Sequence, residues 1–582
     1  LESLSDAEDL GLAVRALEEV GVTHTFGIPG VHNTELYDEL DRSEKITPVL
    51  VTSEFNGGFM ADAMSRVGSG VGCLALVPAA GFTHAASGIG EAMLDGIPML
   101  VITGGVRSDG EFGYQLHQMD QLELAKGLTK AAFRAERVAD VPGMIHEAYR
   151  IATTGTPGPV LVELPVNLQM QAEDAPDPEP FVPAPAAPLP PAVQLDKAAE
   201  ILLSAEKPVL YVGWGARRAR EDLVRLAEAL GAPVVTTLQG VATFPHDHPL
   251  HAGFCFGPAA VPSAREAAEG HDAMLAVGAR FGEIATGSFG IDPPRNLVHV
   301  DIDPAVIDRN YPARIGLVGD AAAIVPALLE RVSGRAGRAG ERAQTLAAEI
   351  AKRKSSYRAD FLAHDSGDRV NPAALFDAVD ARVGDDCLTT VDDGNHTFLA
   401  AELWPLRGTR DFISPTDFNA MGYAVPAGIA AALAHPGREV VTFVGDGCFR
   451  MTGSELVTAS ALGLGLVVYV FDDGELAQIA QAQALPYNRK TCTVMPTMAI
   501  EHLAAATGSE LIRITGADDL AASVDRAHTL AADRRPVVVD VHIDYSRSST
   551  FTQGIIKTNF KRFPTRDKLR IAGRAVSRKI TG

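Results

Sequence analysis

The stretch Val440–Gln483 constrains this chain more than any other. A β-rich apolar run from Val440 to Val444 stops at Gly445-Asp446-Gly447, and Glu455, Leu456, Ala459 and Leu462 then recur at helical spacing. A second apolar run, Leu464 to Phe471, stops at Asp472-Asp473-Gly474. Strand, loop, helix, strand and loop make a βαβ unit, whose two strands lie parallel and adjacent. Both acidic loops then fall at the carboxyl ends of strands, where open α/β sheets bind ligands. Asp446 and Asp473, 27 positions apart, therefore converge. Two hard oxygen ligands plus a main-chain carbonyl suit Mg²⁺, which takes its other ligands from phosphate and water. Gly445 and Gly447 let the backbone approach a diphosphate closely, and the N–H groups opening the next helix add anion-binding dipoles.

At 582 residues the chain is too long for one core and predicts three or four domains. An apolar share of 46% and a charged share of 21% fit a soluble globular enzyme. A net charge of −22 argues against nucleic acid or an anionic membrane as partner. The five cysteines (73, 255, 387, 448, 492) are scattered, with no Cys-x-x-Cys, which predicts a reduced, cytoplasmic protein. No apolar run reaches the length of a transmembrane helix, and no leader pattern follows Leu1.

Residues 1–172 read as α/β. A helix with Leu10, Val14, Leu17 and Val20 leads to a strand at 23–26, the loop Gly27–Asn33, and a helix around Leu36–Leu40. Val49–Glu54 reads as a strand ending in a carboxylate, followed by a tightly packed helix over 55–65. Further strands are predicted at 73–77, 98–103 and 159–164. The Pro-rich segment 173–194 reads as an extended linker. A second α/β unit, 195–335, has strands at 209–212, 234–237, 273–277 and 297–300, with Gly213-Trp214-Gly215 after the first. Residues 336–370, helical from Arg338 to Arg358, read as a solvated connector. Residues 371–545 hold the opening motif, with a further strand at 388–391 before Asp392-Asp393-Gly394-Asn395-His396. The remainder, 546–582, carries ten Lys or Arg from 547 onward against Asp567 alone. That surplus of nine leaves the rest of a −22 chain at −31, and predicts a lid or subunit clamp held on acidic surface.

The motif at 445–474 resembles the metal–diphosphate motif of thiamine diphosphate (ThDP) enzymes, in which Gly-Asp-Gly precedes Asn-Asn or Asn-Asp by about two dozen residues. Here the closing pair is Asp472-Asp473. Residues 1–172 are similar to the pyrimidine-binding domain, 195–335 to the central domain and 371–545 to the diphosphate-binding domain of these enzymes, in the branch of acetolactate synthases and 2-oxoacid decarboxylases. The implied fold class is α/β, three doubly wound parallel-sheet domains with a basic C-terminal tail.

The resemblance also implies site residues. Glu54 matches the activating glutamate, whose carboxylate holds a proton at the aminopyrimidine ring nitrogen. His32, His84 and His117, with Gln118, fall on loops that face the reacting carbon in relatives, and histidine moves protons near neutral pH. Asp446, Asp473 and Glu475 form the implied metal set, a main-chain carbonyl among it. Gly394, Asn395, His396, Asn419, Gly445, Gly447, Cys448 and Leu476 are implied cofactor contacts, and Met421 is the bulky side chain that props the cofactor in its bent form. Val31 and Gln483 are implied on the substrate side. Biosynthetic acetolactate synthases carry a Trp where this chain has Ala482, whereas Gln483 and Arg489 look like the catabolic branch. Decarboxylases place Asp or Ser at the position of Val31.

The implied activity is ThDP- and Mg²⁺-dependent decarboxylation of a pyruvate-like 2-oxo acid followed by C–C bond formation. A simple decarboxylase is the alternative, and a flavin oxidase or non-catalytic relative lies further off. Some relatives hold FAD in the central domain and others do not, so the resemblance leaves flavin open. Relatives share each active site between subunits, which implies a homodimer at least, or a homotetramer.

Overall fold

The computed structural model describes residues 11–68, 70–170, 179–335, 337 and 339–581. Leu10, residues 173–178 of the linker and Arg338 lie outside the described residues. The chain forms three six-stranded sheets, every strand pair of which is parallel. The first holds β1 (His24–Gly27), β2 (Thr47–Leu50), β3 (Gly72–Leu76), β4 (Met99–Gly105), β5 (Ala131–Arg134) and β6 (Pro159–Pro165), ordered β2-β1-β3-β4-β6-β5. The second holds β7 (Pro208–Val212), β8 (Val234–Thr236), β9 (His251–Phe254), β10 (Ala273–Val277), β11 (Asn296–Asp301) and β12 (Ile315–Val318), ordered β12-β11-β10-β7-β8-β9. The third holds β13 (Leu388–Val391), β14 (Asp411–Ile413), β15 (Val440–Gly445), β16 (Leu466–Asp472), β17 (Glu510–Ile514) and β18 (Pro536–His542), ordered β14-β13-β15-β16-β18-β17. Central strands covered by helices on both faces read as near-continuous apolar runs; β15 and β16 do, apart from Thr442 and the terminal Asp472, which is why they stand out in sequence.

The first and third sheets share a core. Phe59, Met60 and Ala63 of the helix Glu54–Val67 pack with Tyr423 and Ala427 at the helix Ala424–Ala434, the rings of Phe59 and Tyr423 lying edge-on at 5.5 Å. Arg66 is fully buried at this junction, bonded to Asp62 and Asp95, with Trp214 of the central domain over its guanidinium. A buried cation survives only when paired this way.

Several expectations change. The second strand ends at Leu50, and Glu54 opens the following helix instead of ending a strand, because Ser53 caps that helix by accepting from Phe55 N. The expected helix after Gly447 is broken into Asp446–Thr452, a 3₁₀ turn Gly453–Glu455, and Leu456–Ala461. The turn aims Glu455 at the first domain, where its fully buried carboxylate accepts from Thr52 N, Thr52 Oγ1 and Asn56 Nδ2. The connector is one helix, Ala339–Leu362, largely exposed but docked by Arg342 on Gly231 O and by Lys354, which lies between His246 O and His251 Nδ1. Burial pulls the Lys354 ammonium down to about 8.

The tail folds into the helices Thr550–Arg562 and Thr565–Thr581. Glu402 accepts from Thr550 N and Phe551 N at the start of the first. Arg574 and Arg578 of the second lie over the ring of Tyr487, and Arg578 donates to Tyr487 O. Arg574 and Arg578 thus meet an aromatic face and a carbonyl. No helix among the described residues is long and apolar enough to cross a membrane.

Candidate active site

In the third sheet the chain starts at β13, steps to β14 on one side, then returns to β15 on the other. The loops after β13 and β15 therefore diverge, and the crevice between them is where such sheets bind ligands. A cavity of about 210 Å³ opens there. Gly394, Asn395 and His396 line it from the β13 loop, and Asn419 and Met421 from the segment before the helix Ala424–Ala434. Gly445, Asp446, Gly447 and Cys448 line it from the β15 loop, with Asp473, Glu475 and Leu476 from the β16 loop. Gly394 sits at φ +149°, open only to glycine, and a Cβ at Gly447 would meet Leu476 Cδ2 at 2.6 Å.

Backbone hydrogen bonds fix these loops to one another. Buried Asp392 accepts from Gly422 N at 2.8 Å and Ala424 N at 2.7 Å, joining the β13 loop to the Met421 segment. Asp446 accepts from Gly447 N through Oδ1 and from Gly474 N through Oδ2, joining the β15 and β16 loops. Burial, then the nearby Asp473 and Asp472, push the Asp446 carboxyl up to about 8. Asp473 rises to about 6, chiefly by burial. Carboxyls so crowded call for a cation between them. Glu475 spends its carboxylate on Lys490 at 2.6 Å, which leaves its main-chain oxygen as the donor it can offer.

The cavity wall carries polar atoms with no hydrogen-bond partner among the described residues: Asp393 Oδ1, His396 Nε2 and Tyr545 OH. Buried polar atoms are normally satisfied, so these mark where a polar ligand binds. Burial holds His396 down at about 3, leaving a neutral imidazole. The donor set therefore fits a diphosphate with a divalent cation: crowded carboxylates on one side, orphaned polar atoms and helix-opening amides on the other.

The first sheet gathers a second group. Glu54, 6% exposed, opens the helix Glu54–Val67 and faces His84 Nδ1 through Oε2 at 3.2 Å. His84 belongs to the helix Ala80–Asp95 and not to a loop. The rings of His32 and His117 lie 5.1 Å apart, with the Nδ1 atoms of both unpaired, and His117 is held at φ +64°. Gln118 turns back to accept from Gln115 N. Val31 is exposed on the adjoining turn. Both amide atoms of Gln483 bond the backbone of Thr491, away from the cavity wall. Glu54, His84, His32 and His117 do not line the cavity of their own chain.

Residues without a sequence signal complete the site. Phe471, Gln478, Ile479 and Tyr545 line the cavity. Gln121 ties two loops of the first sheet, accepting from Ala79 N and donating to Gly104 O. Glu91, fully buried, accepts from Thr416 N at 3.2 Å and from Ala420 N at 3.1 Å, while Asp95 accepts from Asp417 N at 2.8 Å. The segment bearing Asn419 (φ +61°) and Met421 thus hangs from the first sheet's helix Ala80–Asp95. Unsatisfied buried amides cost about 1–3 kcal/mol. Glu91→Ala should therefore weaken ThDP binding by about 10- to 100-fold in a calorimetric titration, and Glu91→Gln, which keeps one acceptor, should recover part of it.

Three family models match in the order of the sheets: thiamine pyrophosphate enzyme N-terminal TPP binding domain over residues 11–124, central domain over 195–328, and C-terminal TPP binding domain over 392–541. The chain is 33% identical over 547 residues to an acetolactate synthase large subunit of Corynebacterium glutamicum, covering 90% of this chain and 85% of that one. It is 31% identical over 561 residues to the acetolactate synthase isozyme 3 large subunit of Escherichia coli, covering 94% and 96%. The acetolactate synthase 1, chloroplastic, of Nicotiana tabacum is 29% identical over 531 residues, covering 88% and 79%. The chain belongs to the thiamine pyrophosphate enzyme family and is a ThDP-dependent enzyme.

Proposed function

We propose that this enzyme decarboxylates a pyruvate-like 2-oxo acid and joins the retained fragment to a second carbonyl, as an acetolactate synthase-like carboligase using ThDP and Mg²⁺. The observation that carries the reading is the cavity beneath β13 and β15, with its crowded Asp446–Asp473 pair opposite orphaned polar atoms, in a chain related over most of its length to proteins named acetolactate synthase. When bound, ThDP supplies a carbon nucleophile for the carbonyl and a sink for the electron pair left by CO₂. Asp446, Asp473 and the main-chain oxygen of Glu475 would hold Mg²⁺, which would neutralise diphosphate charge. Gly445, Gly447, Cys448, Gly394, Asn395 and His396 seat the diphosphate, while Asn419, Met421 and Leu476 shape the wall beside the reacting ring. Glu54 holds a proton at the pyrimidine nitrogen. His32 and His117, with unpaired Nδ1 atoms, and His84, beside Glu54, move protons to and from substrate oxygen and carbon.

Glu54 and the histidines do not line their own chain's cavity, so the working site is built between subunits: the first sheet of one copy faces the third sheet of another, in a homodimer or a tetramer of such pairs. Whether FAD is bound stays open, and its place would be the crevice of about 440 Å³ at the carboxyl ends of β7, β10 and β11, lined by Trp214, Gly215, Arg217, Arg280 and Asp301. A yellow purified protein would establish it. Four buried free cysteines fit a cytoplasmic enzyme.

The test is an NMR time course of the purified protein with ThDP, Mg²⁺ and pyruvate. Acetolactate or acetoin is the expected product. Acetaldehyde alone would make the enzyme a decarboxylase, and no turnover with ThDP bound would remove pyruvate as donor.

A further inference from the structure

The carboxyl end of the third sheet carries another set of donors. In the β16–β18 register Asp472 lies opposite His542 and Val470 opposite Asp540. Asp472, Asp540 and His542 therefore project from one face of two adjacent strands. One ligand atom from each lies within 4.8 Å of the other two. Bonds of about 2.0–2.2 Å to a shared ion draw such a set together with small side-chain shifts.

Asp540 makes this more than an acidic cluster. It is 2% exposed. Its Oδ2 accepts from Arg513 Nε at 2.8 Å, and Arg513 approaches from β17, its register partner on the far side of β18. The other oxygen, Oδ1, is buried and has no hydrogen-bond partner among the described residues. A buried carboxylate oxygen without a donor is costly. Beside the cluster is a crevice of about 230 Å³, lined by Asp472 and His542 together with Asp446 and Asp473, with room for a hydrated ion.

We propose that Asp472, Asp540 and His542 form a second divalent-cation site, distinct from the Asp446–Asp473 pair and suited to Zn²⁺ or Mn²⁺. One imidazole nitrogen with two carboxylate oxygens favours these ions over Mg²⁺, which takes oxygen donors. The sites are neighbours through the consecutive residues Asp472 and Asp473, so an ion in the second site offsets the negative charge of Asp472 beside the first.

Mn²⁺ titration of the chelator-stripped full chain with ThDP, followed by electron paramagnetic resonance, tests this. Two classes of bound Mn²⁺ are expected, one showing nitrogen coupling from imidazole. His542→Gln and Asp540→Asn, both close to the native side chains in size, should each remove the nitrogen-coupled class and keep the other. Asp446→Asn should do the reverse, and excess Mg²⁺ should displace the uncoupled class only. A single uncoupled class that vanishes in Asp446→Asn would overturn the second site while leaving the diphosphate-metal reading standing. The absence of any bound Mn²⁺ would defeat both.

Discussion

Glu54→Gln is expected to lower turnover by about 10²- to 10⁴-fold, the range over which a positioned acid–base group contributes, while ThDP binding stays close to wild type. The carboxylate is buried at the start of the helix Glu54–Val67, with His84 on one oxygen. Glutamine keeps the shape and hydrogen-bonding reach of the side chain but cannot exchange a proton with a ring nitrogen. Steady-state kinetics alongside calorimetric ThDP titration separates the two effects. Activity unchanged by the substitution would remove Glu54 from the mechanism, whatever the binding result.

Asp446→Ala should abolish Mg²⁺-dependent ThDP binding at millimolar Mg²⁺. In the proposed site the side chain would meet the ion, and it bridges Gly447 N and Gly474 N, so its loss also frees the two loops from each other. The wild-type site carries a pH signature of the same interaction. Asp446 and Asp473 rise to about 8 and about 6, above the ordinary carboxylate range near ~4. The folded apoprotein therefore binds more protons than the unfolded chain, and this contribution to stability is full below about pH 4 and is lost as pH rises through about 6 and about 8. Mg²⁺ must displace those protons, so its affinity should strengthen between about pH 6 and 8. Thermal melts with and without Mg²⁺ and ThDP should diverge over that window; parallel curves would show that the two carboxyls do not share the ion.

The cavity after β13 and β15 was legible in the sequence because its parts sit at strand ends. An apolar run that stops at Gly-Asp-Gly announces both a strand and its loop, and every cofactor and metal residue expected from 394 to 476 lines the cavity. Strands of three or four residues without a long apolar run, such as Asp411–Ile413, His251–Phe254 and Ala131–Arg134, gave no comparable signal, and tertiary pairing alone makes them strands. Glu91 and Glu455 were illegible for a different reason. Each looks like a polar residue on a helical pattern, and the groups it binds across the domains lie over 320 positions away. The resemblance implied Gln483 on the substrate side; in the structure Thr491, eight residues on, takes both of its amide atoms.

The shared core of the first and third sheets has a bearing on how the protein is made. Asp62 and its partner Tyr423 are 361 positions apart. A ribosome adding about 5–20 residues per second covers that distance in about 20–70 s. For that interval the apolar face of Glu54–Val67, with Phe59, Met60 and Ala63, waits without the helix that covers it. The nascent first domain is thus a natural client for holding chaperones, and slow translation of the middle of the message would lengthen its exposure.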